Sequence, residues 1–182
     1  MAMLYGCEED ITPRPTGYPR VYFPAKEYLE YQNPLCPYVL QIPVYSEMLQ
    51  DEKYTEGRPC WYNLSFKPFD ATLHISYHTY ESANEYDSLY EDTRKMVYKH
   101  IVRADDIEEI DIESQSELLD GVIYQLKGNT ATQFNFFITD RDSRYFRGAL
   151  YFNSKTNPDS IAPVYQFIRE DLLHMIHHFK WK

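Results

Sequence analysis

Period-two alternation of apolar and polar residues runs through most of this chain, broken once by a helical stripe and closed by another, and that order narrows its possible folds most. Tyr38, Leu40, Ile42 and Val44 alternate with Val39 and Gln41, which predicts a strand ending near Pro43 or Tyr45. A second alternation, Tyr62, Leu64 and Phe66, begins just after Cys60. A third follows Pro68, with Leu73, Ile75 and Tyr77 on one face and His74, Ser76 and His78 on the other, a polar face expected to be solvated.

Ser82-Ala83-Asn84-Glu85 has capping-box spacing, in which the hydroxyl and the carboxylate satisfy free backbone donors at a helix start. Tyr86, Leu89, Tyr90, Thr93, Val97, His100 and Ile101 then form one stripe, opposite Asp87, Glu91, Arg94 and Lys95, and the helix is expected to reach Ala104. Four short strands follow at Ile107 to Ile112, Val122 to Lys127, Thr132 to Thr139 and Tyr145 to Phe152, joined by hairpin-type connections into an antiparallel meander. The acidic pairs Asp105-Asp106 and Glu108-Glu109 read as an edge kept soluble. A last helix begins near Ser160, with Pro163 in its first turn and an apolar stripe through Ile161, Val164, Tyr165, Ile168, Leu172, Met175, Ile176 and Phe179. These elements predict an α+β fold, a mostly antiparallel sheet covered by two long helices, similar in element order to the PsbP/Mog1-like domains.

The first 37 residues behave differently. Pro13, Pro15, Pro19 and Pro24 exclude a helix and favour an extended spacer of ~3.1 Å per residue. Leu4-Tyr5-Gly6-Cys7 resembles the end of a bacterial lipobox, in which the cysteine receives the lipid. Residues 1–6 are therefore read as the remnant of a signal peptide, 7–37 as a lipid-anchored, proline-rich tether, and 38–182 as a single α+β domain. No run of about eighteen apolar residues exists to span a membrane, so the membrane link expected is the lipid on Cys7.

Charge excludes one class of partner. With 28 acidic against 18 basic residues, a net of -10, nucleic acid is repelled over most of the surface. Cys36 and Cys60 lack the paired spacing of a metal knuckle. In an exported chain they would form one disulfide, and in a reducing compartment they would be two buried thiols.

No nucleophile elbow, zinc helix, P-loop or dinucleotide fingerprint occurs, and no catalytic residue, metal or cofactor is expected. Two clusters stand against that reading. His174 and His178, with Asp171 nearby, have a spacing that can place two imidazoles on one metal of a hydrolase, but histidines at a helix end also favour the negative pole of its dipole. Ser76 between His74 and His78 has the composition of an activated nucleophile, yet lies in a regular strand without an evident acid. With 18 Tyr in the chain, a glycan-binding module that stacks sugars on exposed rings is the other alternative.

Several stretches together resemble the gliding-motility lipoprotein GldD family of Bacteroidota. They are Cys7 with the Pro13 to Tyr18 spacer, Cys36-Pro37-Tyr38, Ala71 to Tyr77, Glu91 to Arg94, Val97 to His100, Lys127 to Ala131, Arg147 to Phe152 and Ile168 to Asp171. The resemblance implies a non-enzymatic envelope lipoprotein, a component or assembly factor of the gliding and type IX secretion machinery, with other envelope proteins as partners. It implies lipidation at Cys7 and a disulfide between Cys36 and Cys60. The expected location is the periplasmic face of the envelope, with the cell surface as alternative, since Glu8-Glu9-Asp10 resembles a surface-export signal as well as a solvated tail.

Overall fold

The alternating segments assemble into two antiparallel sheets. In the computed structural model, residues 21–50, 57–99, 104–112, 119–153 and 158–182 are described. Strands β1 (Tyr28–Gln32), β2 (Tyr38–Pro43), β3 (Glu47–Gln50), β4 (Tyr62–Phe66) and β5 (Ala71–Thr79) precede helix α1 (Ala83–Tyr98). Then come β6 (Ala104–Asp111), β7 (Asp120–Gly128), β8 (Thr132–Thr139), β9 (Arg144–Phe152), helix α2 (Pro158–His177) and β10 (Lys180–Trp181). Seven strands form the large sheet in the order β3-β4-β5-β9-β8-β7-β6, and β1-β2-β10 form a small one.

The main core lies on one face of the large sheet. Leu64, Leu73, Phe134, Phe136, Ile138, Phe146 and Leu150 meet Ile168, Leu172 and Met175 of α2 and Tyr38, Leu40 and Ile42 of β2, as the stripes require. On the other face α1 sets Thr93 and Val97 against Tyr124, Phe137 and Tyr145, and Tyr145 donates a hydrogen bond to the Thr93 hydroxyl at 2.8 Å. The helices thus lie on opposite faces, 16 and 20 residues long.

Several expectations shift. Ser82 does cap α1, accepting from the Glu85 amide at 3.3 Å, but the Glu85 carboxylate accepts from the amide of Glu81, one residue before the cap, at 2.8 Å. The helix stops at Tyr98, short of Ala104, because Ala104 already pairs with Gly128 in the sheet; His100 and Ile101 lie outside the described residues. Helix α2 starts at Pro158, so Pro163 sits inside it, beyond the first turn, and forfeits one backbone bond.

The folded body also begins earlier than residue 38. Leu29 pairs with Ile42 and Tyr31 with Leu40, so β1 belongs to the small sheet and not to a tether. Its burial pattern is mostly exposed, and its apolar residues are too few to announce a strand. At the far edge, β6 carries Asp105, Asp106, Glu108, Glu109 and Asp111, charges that discourage pairing with another chain.

Candidate functional site

Of the residues singled out in sequence, Cys7 lies outside the described residues. Cys36 and Cys60 are disulfide-bonded, with a Cα separation of 5.5 Å. The bond links the turn before β2 to the turn before β4 and so ties the small sheet to the large one. Both sulfurs are buried in the main core.

Within the described residues the histidine pair is held by stacking and hydrogen bonds. His174 stacks flat on Tyr28, ring centres 3.6 Å apart, and its Nε2 is 2.7 Å from the Gln41 side-chain oxygen. His178 stacks on His174 at 4.0 Å and directs Nδ1 to the His174 carbonyl at 2.9 Å. Burial, with the adjacent His178, lowers the pKa of His174. Asp171 turns away from the histidines: its buried carboxylate accepts from Lys26 Nζ at 2.7 Å, from the Tyr28 hydroxyl at 2.8 Å and from the Tyr45 hydroxyl. Among the described residues no group of three or more metal-ligating side chains converges. Four-residue spacing cannot reveal that Tyr28 of β1 and Gln41 of β2 engage the His174 imidazole.

The face carrying His74, Ser76 and His78 is not simply solvated, contrary to expectation. Helix α1 covers the half of the sheet nearer β7 and β8 and leaves the β4-β5-β9 half beside it open, which creates a groove of about 350 Å³. Register builds its floor: Ser76 pairs with Arg147, and Ala149 lies between His74 and Asn135. Met96 and Val97 of α1 form one wall, and Trp61 and Tyr151 stand on the open side.

This groove is polar at its base. Ser76 is 6% exposed and Asn135 6% exposed, and neither the Ser76 Oγ nor the Asn135 Nδ2 has a hydrogen-bond partner. The Asn135 Oδ1 accepts from the Thr132 hydroxyl at 3.2 Å. Arg147 makes no ion pair among the described residues; its Nη1 is 3.5 Å from the Met96 sulfur. Burial pushes its guanidinium below the usual arginine range, opposed by Tyr145, Tyr151 and Asp92. Since Ser76 Oγ lacks a partner, neither His74 nor His78 is placed to take its proton; His74 Nδ1 is held by Asn63 at 2.6 Å. Burial and the charges of Arg147 and Arg58 push His78 down to about 4.

No sequence motif marks Arg147, Asn135 or Trp61 as site residues. Four of the stretches that carry the family resemblance, Ala71 to Tyr77, Glu91 to Arg94, Val97 to His100 and Arg147 to Phe152, meet at this groove.

Fold and site together define an α+β domain with a ligand-sized groove beside its first helix. The chain belongs to the gliding motility lipoprotein GldD family, whose model matches residues 8–181. It is also similar to the solution structure of cyanobacterial PsbP (CyanoP) from Synechocystis sp. PCC 6803, at 10% identity and a TM-score of 0.45, over 87% of this chain and 95% of that one. No functionally curated protein matches it. Among the described residues, no helix is long and apolar enough to cross a membrane.

Proposed function

We propose that this protein is a lipid-anchored component or assembly factor of the gliding and type IX secretion machinery, tethered through Cys7, that acts by binding other envelope proteins and not by catalysis. The family match from residue 8 to residue 181 carries this reading. The proline-rich stretch after Cys7 leads to Lys26, whose ammonium is clamped to α2 through Asp171, and then into β1. A load on the lipid anchor would therefore enter the fold where Phe23 packs on Phe69 and Phe167 and Lys26 pairs with Asp171. The Cys36–Cys60 bond suits an oxidising compartment such as the periplasm.

In-cell crosslinking of the intact lipoprotein tests this. Photo-reactive residues on the exposed faces should capture envelope proteins of the gliding or secretion machinery, and a strain lacking the protein should lose gliding. Capture of none of these, with motility intact in the deletion strain, would overturn it.

A further inference from the structure

We propose that the groove floored by Ser76, Asn135 and Arg147 is a binding site for a small organic carboxylate, its anionic end on those three donors and its apolar body against Trp61, Met96 and Tyr151. This goes beyond the role as an envelope component, which can stand or fall without it.

Two buried donors point there. A hydroxyl and an amide nitrogen, each about nine-tenths or more buried, line the same cavity with no partner. Folding leaves such groups unsatisfied at a cost in stability, which hydrogen bonds to a ligand would remove. The third donor is a cation, and its place is unusual in a chain of net charge -10. Arg147 pairs with Ser76 on the adjacent strand, so both side chains leave the sheet on the groove face. The sulfur of Met96 is a weak acceptor and does not neutralise it.

Donor type selects the ligand. A guanidinium fork, an amide N–H and a hydroxyl match the in-plane acceptors of a carboxylate. Phosphate offers more charge, but the groove supplies one cation at its base and walls it with Val97, Met96 and rings. Arg58 stands 4.2 Å over the Trp61 ring at the rim. The volume suits a molecule with an apolar or aromatic body attached to the acid.

The test is amide-resolved NMR titration of the folded domain with a panel of aromatic and aliphatic carboxylates, each beside its neutral amide, and with inorganic phosphate. At least one carboxylate should shift the amides of β5, β8 and β9 saturably, and its amide should not. Arg147→Gln should weaken that binding about tenfold or more. Ser76→Ala should weaken it severalfold while leaving the melting temperature unchanged or higher, because a buried unpaired hydroxyl is lost; a merely structural serine would lower it. The proposal is overturned if no carboxylate binds, if amides or phosphate bind as well, or if Arg147→Gln binds normally.

Discussion

Lys26 and Asp171, far apart in sequence, meet with Nζ 2.7 Å from Oδ1, and the Asp171 side chain is wholly buried while that of Lys26 keeps 28% of its exposure. Lys26 also donates to the Phe167 carbonyl and lies 3.5 Å over its ring. Tyr28 and Tyr45 complete the shell of donors around the carboxylate. The last helix is thereby fastened to the segment that leads into β1 and to the turn after β2.

A buried carboxylate with three donors leaves all of them unmet when removed. Asp171→Ala should cost about 3 kcal/mol or more in urea unfolding. Lys26→Met should also be costly, since it leaves the wholly buried carboxylate with two hydroxyl donors and no cation, and the double variant should show coupling between the two. An Asp171→Ala loss below about 0.5 kcal/mol would show that the pair does not hold the segment.

The Cys36–Cys60 bond joins two sheets that share no strand. Replacing both cysteines by Ala should lower stability by ~2 to 5 kcal/mol, the usual range for a native bridge. Unreduced protein from the periplasm should yield the linked peptides by mass spectrometry. Two freely alkylated thiols would refute the bridge.

Acid should weaken the fold through His78. Its folded pKa of about 4 lies below the ordinary 6.5, so between those values the unfolded chain takes a proton that the folded one refuses. Stability should fall as pH drops from 6.5 to 4 and gain no further loss from this group below 4. His78→Gln should flatten that part of the profile. An unchanged slope in the variant would show that His78 is not the group responsible.

Gly148 faces the main core where β9 runs beside β8, and a Cβ there would overlap the ring of Phe136, which is fully buried and cannot yield. Gly148→Ala should therefore destabilise by ~1 to 3 kcal/mol, as overpacking does. Calorimetry showing an unchanged melting temperature would mean the sheet can spread at this point.

Much of this fold can be read in advance where burial is one-sided. Tyr62, Leu64 and Phe66 alternate with polar residues because only one face of β4 meets the core, and Ser82 with Glu85 marks the start of α1. β1, β3 and β10 were invisible because they are short, and β1 and β3 are largely exposed. The groove was hidden for another reason. Period two puts Ser76 on the face away from the core, but whether a helix shelters that face depends on where α1 crosses, and topology alone brings Asn135 and Arg147 beside it.

Attachment through Cys7 is the central claim, and metabolic labelling with a fatty-acid analogue measures it most directly. Expressed in its host from the native gene start, the wild-type protein should carry the label in the membrane fraction, and Cys7→Ser should carry none. A wild-type protein without label, or a Cys7→Ser variant that keeps it, would contradict the account.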